Sequence, residues 1–317
     1  MREICKLKDV KDFYDSDTVI YDFNNMLIGR WHSGIESTSS GQEEMEMHIA
    51  RYARLPELNA RPNGGLVMDF GSGVGTTICY LAKKYPNLRF VGLNVSPKQV
   101  ELATRQSIEK GVQERVRFKL YDGYKIPYKP NTFDAIIFFE SICHVPHKQF
   151  LFQQLYKILK PNCYISGQDW NSAEKTNSDT YNKYILPIEV NFAIPSLLKP
   201  SEYDNLMTQS GFNVTHVGDI KEAFPWLVED SFKHSEIRSD YEQEATFKEF
   251  GKLIIDLASD YIYRFKNNME WKWNKSNPKN YDPNLKKQLD QGYSDLDIAT
   301  NAKIFTIGFF CANKKKI

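Results

Sequence analysis

Paired cysteines are missing from this chain. The five it has, Cys5, Cys79, Cys143, Cys163 and Cys311, are odd in number and scattered, with no CxxC. That excludes a disulfide framework and a zinc site built on cysteine, and no other metal-ligating spacing is evident. Neither sign of charge is in excess: 41 Lys and Arg face 40 Asp and Glu, a formal net charge of +1. Such a balance leaves no electrostatic case for a nucleic-acid partner, and no NPPY or DPPY segment is present to read a flipped base. No run of about 18 apolar residues occurs, so neither a membrane span nor a stable membrane anchor is predicted. The first residues, MREICKLKDVKDFYD, carry no apolar leader, and a reducing, cytoplasmic setting is expected. There is also no internal repeat, no Gly-Lys-Ser/Thr phosphate loop and no DDxxD motif.

Aromatic residues are plentiful. They form 14% of the 317 residues, with 18 Tyr and 20 Phe, which favours an aromatic-lined pocket. From Leu66 onward short apolar runs alternate with amphipathic ones. LVMDF, LRFVGLN, RVRFKLYD, FDAIIFFES and CYISGQDW read as strands. TTICYLAKKY, SPKQVELATRQSIEKG and HKQFLFQQLYKILKPN read as helices. The second helix carries Ser96 as N-cap, Pro97 at its first position and Gly111 at its stop. The pace predicts an α/β fold with a mostly parallel sheet covered on both faces. SEYDNLMTQSGFNVTHVGDI and IFTIGFFCA supply one more helix and two more strands, giving a Rossmann-like sheet of seven strands. Residues 1–60 read as a helical lid, with GQEEMEMHIARYARL as an amphipathic helix showing Met45, His48, Ile49 and Tyr52 at helical spacing. Residues 61–317 read as the sheet domain, with helical insertions at about 171–200 and 221–300. Within the second, Phe247, Phe250, Ile254, Leu257, Tyr261 and Phe265 suggest a long helix, followed by a polar loop, EWKWNKSNPKNYDPN.

The first strand runs into Asp69-Phe-Gly71-Ser-Gly73-Val-Gly75. Glycines at 71 and 73 allow a sharp turn and close approach of a ligand to the backbone. The spacing is not the G-x-G-x-x-G of a dinucleotide site. A carboxylate just before the glycines repels a pyrophosphate and suits an ammonium group.

With VGLNVSPKQVELA, LYDGYKIPY, FDAIIFFESICHVPHK and LYKILKPNCYISGQDW following in order, the chain resembles a class I S-adenosylmethionine-dependent methyltransferase. It looks like the small-molecule and lipid branch, similar to sterol and prenyl-diphosphate C-methyltransferases. The resemblance covers Leu66 to Trp170 and continues more loosely to the end. It implies S-adenosyl-L-methionine as cofactor. Gly71, Gly73 and Gly75 would cradle its methionine part, with Asp69 at its amino group. Asn94 and Val95 would face the ribose, Gln99 the ribose or the adenine, and Asp122 and Gly123 the adenine. Asn94 departs from the family's commoner Asp or Glu and forgoes a charge there. Trp31, in IGRWHSGIE, resembles the aromatic motif that covers the cofactor.

The acceptor of the methyl group decides which other residues matter. Glu140 ends the fourth strand after a run of apolar residues, where a desolvated carboxyl of raised basicity can take a proton. The Glu-Ser pair resembles C-methylating enzymes acting on alkenes. His144, four residues on, is a candidate base for O-methylation. Tyr14, Tyr21, His32, Trp170, Tyr184 and Phe192 are candidate acceptor contacts, since aromatic faces support a cation. Arg51, with Arg30 and Arg54, is a candidate for a diphosphate, whose own phosphates would hold any Mg2+. The favoured reading is C-methylation of an isoprenoid alkene, such as a prenyl diphosphate, with cyclisation conceivable. The alternative is O- or N-methylation of a sugar, phenol or amine. A binding domain without chemistry is a third, weaker reading. The lid closes in cis or is exchanged in a homo-oligomer; nothing in the sequence chooses.

Overall fold

A computed structural model describes residues 7–27, 30–32, 39–220 and 278–315. At its centre is a seven-stranded sheet of order β3-β2-β1-β4-β5-β7-β6. Its strands are β1 (Gly65–Phe70), β2 (Leu88–Asn94), β3 (Val116–Leu120), β4 (Phe133–Phe139), β5 (Leu159–Ser172), β6 (Asn213–Asp219) and β7 (Phe305–Asn313). β1 to β5 pair in parallel, and β7 runs antiparallel to both β5 and β6. The expected Rossmann-like sheet is therefore present, mostly parallel with one reversed strand.

The sheet is apolar on both faces because alternate residues of each strand feed different cores. Val67, Ala135, Ile137 and Phe139 join one cluster; Met68, Ile136 and Phe138 join the other. Covering the sheet are α5 (Thr76–Lys84), α6 (Pro97–Glu109), α7 (Lys148–Ile158) and α10 (Pro200–Gln209). The Ser96 hydroxyl accepts from Gln99 N at 3.2 Å, so the predicted cap starts α6. Helix α7 stops at Ile158, ahead of Pro161, and β5 begins at Leu159, four residues earlier than CYISGQDW suggested.

The N-terminal segment is helical: α1 (Leu7–Tyr14), α2 (Asp17–Leu27), α3 (Ser39–Tyr52) and α4 (Leu55–Asn59). After β5 come α8 (Ser178–Thr180), a π turn (Tyr181–Ile185) and α9 (Leu186–Asn191). A late helix, α11 (Pro283–Asn301), is capped by Asp282 and was not delimited by the sequence. It packs with the N-terminal helices: Phe13, Phe23, Leu289 and Leu296 share one core with the sheet. The Asp282 amide also donates to Thr18 Oγ1 at 2.7 Å. The helix expected over Phe247–Phe265 lies outside the described residues. No described helix is long and apolar enough to cross a membrane.

Candidate active site

β1 is flanked by β2 on one side and β4 on the other. Connections leaving the carboxyl ends of β1 and β4 therefore diverge and open a crevice above them. Two sharp turns face each other across it. Gly71 has φ 77°, and a Cβ there would lie 2.3 Å from Ser141 Cβ, so glycine alone lets the two strand ends meet. Gly73 (φ 52°) has nothing within 4 Å of where a Cβ would stand, leaving its backbone open to a ligand. A Cβ on Gly75 would meet Phe118 and Ala103; this glycine serves helix packing.

The crevice holds a partly enclosed cavity with mostly apolar walls, the kind of lining small-molecule sites have. Gly71, Gly73, Asn94, Val95 and Gln99 line it, as do Tyr14, Trp31, His32, Glu140, His144 and Trp170. With Phe192, which also lines it, the structure thus brings together twelve of the residues singled out in the sequence. Phe23, Phe139, Ser141, Tyr293 and Leu296 line it too. The aromatic rings touch in two sets. Trp31 stacks on Tyr14 at 6.2 Å and meets Phe23 edge-on at 5.2 Å. Phe192 meets Trp170 and Tyr293 at 5.2 and 5.3 Å.

Several expected contacts are not in the lining. Asp122 sits in an exposed turn, where its carboxylate accepts from the Tyr124 and Lys125 amides at 2.8 Å each. Those bonds hold it below its usual range, and Gly123 follows it in the same turn. Tyr21 packs against Tyr281, and Tyr184 against Lys183. Arg51 is exposed on the last turn of α3. Arg54 pairs with Glu57. Arg30 is buried in ion pairs with Glu43 and Glu46, both at 3.0 Å. None of the three arginines lines the cavity.

Glu46 is the residue the sequence hid. Its Oε1 accepts from Arg30 Nε, from Thr77 Oγ1 at 2.8 Å, and lies 3.1 Å from His32 Nε2. Burial alone would raise it, but His32, Arg30 and Thr77 together hold it below its ordinary value. Only the i, i+4 spacing of two polar residues, Gln42 and Glu46, on an otherwise apolar face marks it, and EEMEM reads at first as a solvated run. Asp69 lies buried at the end of β1 beneath the glycine turn. Burial pushes it up to about 7, helped by Glu46 and opposed by His32.

Asn94 is braced within the protein. Its Nδ2 donates to Gly73 O and Gln99 Oε1, and its Oδ1 accepts from Ser96 N. Gln99 Nε2 donates to Tyr14 O at 2.6 Å, tying α1 to the first turn of α6.

Glu140 has φ 48°, a left-handed backbone that strains a non-glycine residue by about 1–3 kcal/mol. β5 holds it there. Glu140 N donates to Gln168 O at 2.8 Å. Asp169 Oδ2 accepts from Ser141, Ile142 and Cys143 amides at 3.1, 2.6 and 3.2 Å. The sequence suggested a desolvated carboxyl; the structure adds a donor to each oxygen. Gln168 Nε2 reaches Oε1 at 3.1 Å and Trp170 Nε1 reaches Oε2 at 2.8 Å. His144 Nε2 is 2.7 Å from the Tyr14 hydroxyl. Burial pushes His144 down to about 3 and Tyr14 well up. The pair is neutral, and Nε2 is engaged whichever partner donates.

Comparison with known proteins adds the family. Residues 67–162 match the profile described as a methyltransferase domain. The chain is 26% identical over 227 residues to a sterol 24-C-methyltransferase of Pneumocystis carinii, covering 69% of this chain and 58% of that protein. It is 29% identical over 218 residues to an O-methyltransferase, cnsE, of Penicillium expansum, covering 68% and 75%. It is also similar to the solved geranyl diphosphate C-methyltransferase of Streptomyces coelicolor, with TM-score 0.61, 12% identity and coverage of 97% and 98%. The chain spans less than two thirds of the sterol relative's length. The names of these relatives differ in what receives the methyl group, so the cavity's own residues must decide.

Proposed function

We propose that this chain, which belongs to the class I S-adenosylmethionine-dependent methyltransferases, methylates a carbon of an isoprenoid alkene. The observation that carries this is the pairing of one carboxylate, Glu140, with aromatic walls and no lysine or arginine among the described lining residues. The fit to the cofactor rests on Gly73, whose backbone is open to a ligand; Asp69, buried near the end of β1, is not itself in the cavity lining. Gly71 and Gly73 would hold the methionine part, Asp69 its ammonium group, and Asn94, Val95 and Gln99 the ribose side, with Trp31 across the bound cofactor. α1, α2 and α11 act as the lid.

Bound there, the cofactor would supply an electrophilic methyl to the alkene π pair, the C–S pair staying with sulfur, and the substrate would be left as a carbocation. Tyr14, Trp31 and Trp170 offer π faces to the positive charge. Glu140 faces it as an anion and accepts the proton when an adjacent C–H pair becomes the new double bond. The rings also keep water from adding to the cation.

A prenyl diphosphate needs cations, and the arginines expected to supply them are exposed or held by glutamates. No cluster of three or more His, Cys, Asp or Glu among the described residues could hold a metal. The favoured acceptor is therefore an uncharged alkene, and no magnesium step is derived. O-methylation would rest on His144, which is neutral and already bonded to Tyr14, a poor base for a hydroxyl.

The test is incubation with S-adenosylmethionine and three acceptors: a sterol bearing a side-chain alkene, a polyprenol and a prenyl diphosphate. Mass spectrometry reads one added methyl group, with Glu140→Gln alongside. Product from an uncharged alkene, lost in the variant, is expected. Methylation only of a hydroxyl would overturn the reading.

A further inference from the structure

Trp170 was singled out as an acceptor contact, yet its one polar atom points elsewhere. The indole N–H donates to Glu140 Oε2 at 2.8 Å. The ring is set edge-on to Phe192 at 5.2 Å and Phe305 at 5.5 Å, with interplanar angles of 87° and 86°. These neighbours fix its plane, so the N–H direction is fixed too. The adjacent Gln168 donates to the other oxygen, and Asp169 between them holds the next three amides. Three consecutive residues of β5 therefore grip the turn that carries Glu140.

We propose that Trp170 is a positioning residue for Glu140: its indole N–H, with the Gln168 amide, holds the carboxylate ionised and in one orientation. The consequence for chemistry rests on the reading above. Donors on both oxygens favour the charged form and make it a weak base. A weak base suffices for a carbocation, which is a very strong acid, and fails with an alcohol. The remaining lone pairs point in set directions. A methylated cation has several C–H bonds beside its charged carbon; the fixed oxygen edge selects which one gives its electron pair to the new alkene and its proton to Glu140. Trp170 thereby sets the double-bond position of the product.

Trp170→Phe keeps the ring wedge and deletes the N–H. Glutamate labelled at its side-chain carboxyl carbon, assigned by loss of one signal in Glu140→Gln, lets nuclear magnetic resonance follow Glu140 in protein saturated with S-adenosylhomocysteine. The titration midpoint is expected to rise by about one to two pH units in Trp170→Phe, the worth of one bond to a charged group. An unchanged midpoint overturns the proposal, whatever the acceptor is. If Trp170→Phe does not fold, Gln168→Met makes the same test on the other oxygen. With an acceptor that wild type converts to one alkene isomer, Trp170→Phe should give a mixture while KM stays within about threefold. An unchanged isomer ratio overturns the selection step. A shifted midpoint with no carbon-methylated product from any acceptor upholds the positioning and overturns the isoprenoid reading.

Discussion

Gly73→Ala should separate folding from binding. Gly73 (φ 52°) and Gly111 (φ 68°) both have left-handed backbones, and in both nothing lies within 4 Å of an added Cβ. For folding they are equivalent: alanine in that conformation costs about 1–2 kcal/mol at either site. A chain of this size would lose a few degrees of Tm in each variant. For binding they differ, because Gly73 lines the cavity and Gly111 follows α6. A methyl group at 73 occupies space that a cofactor backbone contact needs. Overpacking of that kind costs about 1–3 kcal/mol, or about 5- to 150-fold in Kd. Calorimetric titration with S-adenosylhomocysteine, with thermal unfolding of both variants, reads the two effects. Gly73→Ala should weaken binding within that range while Gly111→Ala binds as wild type does. Equal affinity for the two variants would refute the placement of the cofactor on the glycine turn.

Asp69 gives a pH dependence. Its folded value, raised to about 7 by burial, exceeds that of an unfolded aspartate. Its contribution to stability is therefore full below about 4 and lost as pH rises through about 7. An ammonium ligand favours the ionised form, so affinity for S-adenosylmethionine should climb between about pH 6 and 8 in wild type and stay flat in Asp69→Asn when measured by calorimetry. Glu46→Gln should destabilise by about 3–5 kcal/mol, because it strips a buried arginine of its fully buried partner. Glu43 still reaches that arginine, which places the loss toward the lower figure. Urea unfolding with an unchanged m-value checks it.

The sheet was legible because its signals are local. FDAIIFF is apolar at every position but one, as a strand buried on both faces must be, and Ser96-Pro97 announces a helix start within two residues. The glycine turn was legible for the same reason: φ values above zero need glycine, whatever packs around it. What was not legible depends on packing between distant segments. Phe23 and Tyr293 come from α2 and from α11, and no spacing rule joins them. Tyr21 and Tyr184 carry the same side chain as Tyr14 and face other neighbours. The Arg51 charge looked available in the sequence, and its place on the outer turn of α3 decides otherwise. Glu46 illustrates the opposite failure. A charged residue inside a charged run reads as solvated, until the fold places Arg30, His32 and Thr77 around it. Asp122 was offered to a ligand, and the local turn supplies two amides first.

The central claim is that the methyl group ends on carbon. S-adenosylmethionine carrying a carbon-13 methyl group, the purified protein and a sterol with a side-chain alkene make the direct measurement. Nuclear magnetic resonance of the extracted product reports the atom to which the label is bound. A label resonating as an alkyl carbon, and absent when Glu140→Gln replaces the wild type, is the predicted result. A label resonating as a methyl group on oxygen or nitrogen would contradict the account.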